Sequence, residues 1–366
     1  MKRKAEHGIH DSNSQNIMRR MRPSSLSWFE NLFGIKETSD IRSNFVVKKG
    51  QLTSKANGKT FDVGVFECIS LGQLQELYQD VDHDKFSNSS RWGHIAVDDI
   101  FEEHAKHPNA LFMAASQFNC LEFVDPEITP EHGITMYKDD HTQGPACALA
   151  CAANTLYRNY FVRVGEKSGL HVGQSANHQI NLLEKLETFL PKKYWTITNG
   201  YLNSTSKQLD DLNGFLAKNS DELESLVQVG LVTDTQVCFS SRKTNPWTEI
   251  EPEKKVLVHQ VYCSAIACGY SNISIEKWEP LAILLLKAQY EAVLLSAYLI
   301  GSTKVFLTIL GGGVFQNKME WIALAIASAL VKTSHLGLDV SICHFRAVDQ
   351  ECKRLVDRYV KEMKKK

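Results

Sequence analysis

The sequence has almost no net charge: 41 lysines and arginines face 42 acids across 366 residues, a formal balance of −1. Such a balance builds no extended positive field, so no nucleic acid partner is expected. The basic stretches Met1–His7 and Lys361–Lys366 read as solvated tails. The nine cysteines are odd in number and lack Cys-x-x-Cys or Cys/His spacing. That argues against a disulfide framework or structural zinc site and fits a reducing, cytoplasmic compartment. No metal site is predicted, and His94 and His259 read as structural. Residues 1–25 have neither the apolar segment of a signal peptide nor any periodicity, so a disordered tail is expected. The longest apolar run, Leu281–Ile300, has spanning length but carries Lys287, Gln289 and Glu291 at its centre, where a membrane makes charge costly. It reads as a buried helix, and no membrane partner is expected. Also missing are an internal repeat, a GxGxxG fingerprint and a GxxxxGK[ST] loop, which disfavours ordinary dinucleotide folds and P-loop NTPases.

What is present is a 43% apolar chain, enough for a sizeable core. Its most informative stretch is Leu310–Trp321, LGGGVFQNKMEW, between the strand-like KVFLTIL and the helical MEWIALAIASAL. Gly311, Gly312 and Gly313 allow φ > 0 and close approach of a ligand to the backbone. Asn317 and Glu320 have the spacing of a capping box. Free N–H groups of such a loop and helix start form an anion site. A second loop, TQGPACA, feeds the helical stretch Gln143–Phe161, with Pro145 at the first helical position. Strand, helix, strand, helix, strand in close order predicts parallel βαβ units and a three-layer α/β fold. Both loops then project beyond the carboxyl ends of strands, and two anion cradles at one sheet edge suit a diphosphate. The region 164–245 reads as mixed helical pieces inserted between core elements.

The strand Ala110–Ser116 ends in Gln117 and Asn119, whose amides suit ribose hydroxyls or the closing of loop backbone bonds. A long acidic connection follows, with Glu122, Asp125, Glu127 and Glu131, then Asp139 and Asp140 directly before the second loop. A carboxylate there can stabilise an oxocarbenium-like state or activate water, so cleavage beside a ribose is suggested; a solvated loop is the plain alternative. Glu67 either accepts from an adenine amino group or is an exposed acid. Cys147, in the first turn of its helix with His141 upstream, is either a nucleophile or a small packing residue. Phe315 and Tyr270 either flank a ribose or base or pack in the core. An acidic loop beside a diphosphate permits Mg²⁺ without requiring it, and no other cofactor is expected.

The segments VYCSAIACGYS, AQYEAVLLSA and VFLTILGGGVFQNKMEWIALAIASAL resemble the second half of a macrodomain, the ADP-ribose-binding α/β/α module. ASQFN, TQGPACA, YRNYF and LGGGxFxN together resemble a divergent, MavL-like branch of that family, which includes an effector that removes ADP-ribose from arginine of ubiquitin. The resemblance implies a macrodomain-like mixed sheet between helices over residues 26–345, with an insertion at about 164–245 and a C-terminal helix and basic tail at 346–366. It implies an ADP-ribosyl hydrolase acting on a modified protein such as ubiquitin, or alternatively a non-catalytic ADP-ribose reader. The ligand would lie among Gln117, Asn119, Thr142, Gln143, Gly144, Pro145, Ala146, Cys147, Gly311, Gly312, Gly313, Val314, Phe315 and Asn317. Asp140, Asp139 and Glu122 are the candidate catalytic acids.

Overall fold

The structure is a computed structural model that describes residues 26–81, 89–165 and 171–365; the tail expected at 1–25 lies outside them. Seven strands form the central sheet: β1 (Val65–Ser70), β2 (Arg91–Val97), β3 (Leu111–Ser116), β4 (Gln228–Gln236), β5 (Leu257–Ser264), β6 (Lys304–Thr308) and β7 (Asp339–Phe345). Their order is β1-β4-β5-β3-β6-β7-β2. The five from β5 to β2 run parallel, while β4 is antiparallel to both its neighbours, so the sheet is mixed. β3 and β6 are buried almost throughout, as parallel strands covered on both faces must be.

The helices that matter for the site are α1 (Trp28–Phe33), α2 (Leu71–Gln79), α3 (Ile100–Lys106), α4 (Gln143–Ala150), α5 (Ala152–Tyr160), α6 (Ser206–Leu226), α7 (Ile275–Leu299), α8 (Met319–Lys332) and α9 (Gln350–Met363). α2, α6, α7, α8 and α9 pack as one layer, while α3, α4 and α5 pack on the other side of the sheet, which completes a three-layer α/β/α architecture. α1 and α2 each begin with a reciprocal capping box, Ser27 with Glu30 and Ser70 with Gln73.

Among the described residues, α7 is the helix long and apolar enough to cross a membrane, and 89% of its most apolar window is buried inside the fold. Its central polar residues explain why it belongs there. The Gln289 amide donates to the Ser264 carbonyl and accepts from the Ser264 N–H, both at 2.7 Å, fixing the end of β5. Lys287 pairs with Glu224 at 2.9 Å, and Glu291 pairs with Lys332. Each charge is matched by a partner, which makes its burial tolerable.

Two local expectations are corrected. The helix read as continuous from Gln143 breaks at Cys151 (φ −112°, ψ 53°). There the Cys238 N–H takes the Ala150 carbonyl at 2.7 Å and the Thr155 hydroxyl takes the Ala148 carbonyl at 2.7 Å, so tertiary bonds replace helical ones. The second concerns 164–245, read as mixed helical pieces: it contains Gln228–Gln236, which is β4, a core strand between β1 and β5. Its β-branched run around Val229, Val232 and Thr233 suits a strand, and the preceding α6 masked that signal.

Candidate active site

The sheet splits where the site forms. β3 pairs with β5 as far as Ser116, but with β6 only at Leu111 and Phe112. Beyond Phe112 the Gln143 side chain takes the place of the missing strand: its Oε1 accepts from the Ala115 N–H and its Nε2 donates to the Met113 carbonyl, both at 2.8 Å. The gap opens into a cleft of about 830 Å³ beyond the carboxyl ends of the parallel strands. Ligands of open α/β sheets lie in this position.

α4 starts on one wall of the cleft. A Cβ on Gly144 would come within 1.8 Å of the Ala115 carbonyl oxygen, so only glycine lets the helix start sit this close to β3. Thr142, Gln143, Gly144, Pro145 and Ala146 all line the cleft, and the first-turn N–H groups of a helix carry partial positive charge. Pro145 is the third helical residue rather than the first, because the helix begins at Gln143.

The opposite wall is the glycine loop, where Gly311, Gly312, Gly313, Val314 and Phe315 line the same cleft. Gly311 has φ +76°, and a Cβ there would meet the Ala265 Cβ at 2.5 Å. The Tyr290 hydroxyl braces the loop from below, donating to the Thr308 carbonyl and accepting from the Leu310 N–H. Asn317 does not cap α8, whose N-cap is Lys318 with no side-chain bond. Its Nδ2 instead donates to the carbonyls of Ile266 (2.8 Å) and Gly311 (3.3 Å), a tie across the loop that replaces the expected capping box. Gly313 differs from its neighbours: nothing lies within 4 Å of a Cβ placed on it. The protein's own packing does not require glycine there.

The remaining candidates divide. Gln117 lines the cleft, with its Nε2 donating to the Phe123 carbonyl (3.0 Å) and its buried Oε1 left without a partner. Asn119 lies in the turn behind that wall, its Oδ1 accepting from the Leu121 N–H and its Nδ2 donating to Gln179. Asp140 lines the cleft, and its Oδ1 accepts from the Thr142 N–H at 2.8 Å. Asp139 points to solvent, 68% exposed and paired with Lys138. Glu122 lines the cleft yet is fully buried, 3.2 Å from the Arg158 guanidinium, and burial pushes its carboxyl up to about 7 against the pull of that cation.

Cys147 is fully buried behind the helix, against His104 (3.5 Å) and Gln260, and burial holds its thiol well above the ordinary range. The helix start does not overcome that desolvation, so the nucleophile reading is set aside. Glu67 sits on the edge strand β1 opposite Leu231, and the residues lining the cleft do not include it.

Several lining residues carry little sequence signal. Tyr201, on the hairpin of Thr196–Thr198 with Tyr201–Asn203, meets Tyr270 and Phe315 with ring centroids 6.0 and 5.9 Å away. That hairpin is seated on the Gln117–Asn119 turn by the Phe118 N–H donating to the Gly200 carbonyl. Asp125 and Asp140 lie near enough to both tyrosines to help raise their hydroxyl pKa values, after burial in each case and, for Tyr201, after Tyr270. Asp98, Arg242, His344 and Phe345 line the far end of the cleft. The parallel order of β7 and β2 brings Asp98, His344 and Phe345 together, and Arg242 is held beside them by its N–H donating to Asp99 at 3.0 Å.

One group among the described residues gathers three side chains of kinds that can ligate a metal: His94, His344 and Cys352, with atoms within 4.8 Å of one another. The Asp349 N–H donates to His344 Nδ1, which places the proton on Nε2, facing His94 Nδ1 at 2.8 Å. The rings are thus joined as a neutral pair, and burial lowers both their pKa values.

No protein-family model matches this chain, and no curated protein matches it. Among solved structures, it is similar to poly(ADP-ribose) glycohydrolase from Thermomonospora curvata, with 12% identity, a TM-score of 0.44, and coverage of 85% of this chain and 94% of that one. It is also similar to poly(ADP-ribose) glycohydrolase from Deinococcus radiodurans in complex with ADP-ribose, with 12% identity, a TM-score of 0.45, and coverage of 82% and 94%.

Proposed function

We propose that the chain is a hydrolase that binds ADP-ribose in this cleft and releases it from a modified protein. The observation that carries the reading is Gly313: a glycine that internal packing does not need, on the wall of a cleft whose other wall is a helix start. A diphosphate fits between the two, with backbone N–H groups meeting its oxygens. The unpartnered Gln117 Oε1 is suited to accept from a ribose hydroxyl.

Asp140 and Glu122 supply the chemistry. As the bond from ribose C1 to the acceptor breaks, its electron pair leaves with the acceptor atom, which takes a proton. A water oxygen adds to C1 and gives its proton to the Asp140 carboxylate. Glu122, with a carboxyl that titrates near 7, is suited to be the proton donor. Asp139, exposed and paired, is left as a rim charge. No metal or cofactor is assigned a step.

The acceptor is proposed to be arginine. Asp125 and Asp140, close enough to Tyr201 and Tyr270 to raise their hydroxyl pKa values, suit a cationic acceptor, and the aromatic rings suit a planar one. Ubiquitin enters as a candidate modified protein through the resemblance alone. The nine free cysteines favour a reducing compartment such as the cytoplasm.

The test is Asp140→Ala, assayed for release of ADP-ribose from an arginine-ADP-ribosylated protein. Loss of release by about 100-fold or more, with ADP-ribose affinity within about threefold of wild type, is expected of a general base. A variant that releases at the full rate removes Asp140 from the mechanism. A wild-type protein that binds ADP-ribose and releases none from any linkage is a reader.

A further inference from the structure

Behind the cleft floor lies an ion pair closed off from solvent. The side chains of Arg158, on α5, and Glu122 are both 0% exposed, with Nη1 and Oε1 3.2 Å apart. The arginine is held on every side. Its Nε donates to Asn154 Oδ1 at 2.9 Å, its Nη2 to Thr155 Oγ1 at 3.1 Å, and its Nη1 also to the Cys120 carbonyl. The Tyr262 ring lies 3.6 Å from its Cζ. Asn154 is itself fixed by donating to the Val63 carbonyl.

The carboxylate is held more lightly: besides the arginine, the Tyr137 and Ser116 hydroxyls lie close enough to favour its charged form. Oε1 meets the arginine, while Oε2 is buried without a hydrogen-bond partner, and Glu122 lines the cleft. A pair retained for stability alone would be expected to satisfy both oxygens, because each unsatisfied buried one is destabilising. An apolar pair of similar volume is often the more stable choice. The half-satisfied arrangement instead suits a carboxyl with one oxygen clamped and the other kept for a substrate.

We propose that Arg158 is a positioning residue, which clamps Glu122 by one oxygen and leaves the other to the reacting end of a bound ADP-ribosyl group. This rests on the hydrolase reading above. The other titratable groups around Glu122 are Tyr137, whose hydroxyl accepts from the Glu122 N–H, together with Tyr262, Cys120 and Cys147. Burial raises all four, so they stay neutral through the range in which Glu122 titrates. Asp140 lines the same cleft and is the one further acid in the mechanism.

The experiment measures kcat against pH for wild type, Arg158→Lys, Arg158→Met, Glu122→Gln and the double variant Arg158→Met/Glu122→Gln. The substrate is an ADP-ribosylated protein, and ADP-ribose affinity is measured in parallel. Removing the cation takes away the influence that holds the Glu122 pKa down. Arg158→Met should therefore move the limb near neutral pH upward by about one unit or more and lower kcat at least about tenfold, with ADP-ribose affinity nearly unchanged. Arg158→Lys should lie between that variant and wild type. The double variant removes both charges and should be no slower than Glu122→Gln alone, since Arg158 acts only through Glu122. If Arg158→Met fails to fold, the lysine and double variants decide. An unshifted limb in Arg158→Lys, or an Arg158 effect that multiplies with that of Glu122→Gln, overturns the proposal. A wild type that releases nothing overturns the hydrolase reading beneath it, a separable outcome.

Discussion

Gly313 gives the sharpest separation between fold and function, and Gly313→Ala measures it. The added methyl meets no atom within 4 Å, and Gly313 is not among the residues of positive φ, so alanine is accommodated without strain. Stability should stay within about 0.5 kcal/mol of wild type, or rise slightly because alanine restricts the unfolded chain. In the proposed complex the methyl would stand where a phosphate oxygen approaches the backbone. Losing one charge-assisted N–H contact removes about 1.5–3 kcal/mol of binding, which is about 10- to 150-fold in affinity. Gly311→Ala is the contrast: at φ +76° and with its Cβ 2.5 Å from that of Ala265, it should lose about 1–3 kcal/mol of stability. Thermal unfolding and calorimetric titration with ADP-ribose measure both quantities. A Gly313→Ala protein that binds ADP-ribose as tightly as wild type refutes the reasoning, since the loop would then be no more than a turn.

Gly144→Ala drives a methyl into the Ala115 carbonyl, so it should both lower the unfolding temperature by several degrees and weaken ADP-ribose binding, measured on the same samples. Glu122 is a carboxyl whose folded pKa, about 7, lies above its ordinary value of 4.5. The folded state therefore holds the proton more tightly, and this contribution to stability is present below about pH 4.5 and lost as pH rises through about 7. Denaturant unfolding should show that decline in wild type and a flatter profile over the same range in Glu122→Gln. Cys147→Ala should retain release of ADP-ribose, and Cys147 should stay unmodified when the folded wild type is treated with a thiol alkylating reagent, because the thiol is buried and protonated. A rate abolished by alkylation at Cys147 would restore the nucleophile.

The parallel core was readable because its strands and helices carry long apolar runs: KVFLTIL gave β6, and the run through Leu281–Ile300 gave most of α7. Both glycine loops were readable for the same local reason, since a glycine between a strand and a helix marks a tight turn or a close approach to the backbone. What stayed hidden depends on partners distant in sequence. β4 follows a helix without a break in apolar character, and only β1 and β5 on either side make it a strand. Asn317 has the spacing of a cap but meets Ile266, which β5 delivers from 51 residues away. Asn119 and Gln117 look alike in sequence; the turn at Cys120 sends one amide behind the wall and the other to the cleft. Arg158 gave no sign of its role, because its partner lies 36 residues upstream in a loop of many acids.

The central claim is that this cleft takes ADP-ribose, and calorimetric titration of the full chain with ADP-ribose tests it most directly. The account predicts saturable binding at one site, weakened by Gly313→Ala and nearly unchanged by Asp140→Ala. No heat of binding from a folded protein at millimolar ligand would contradict it.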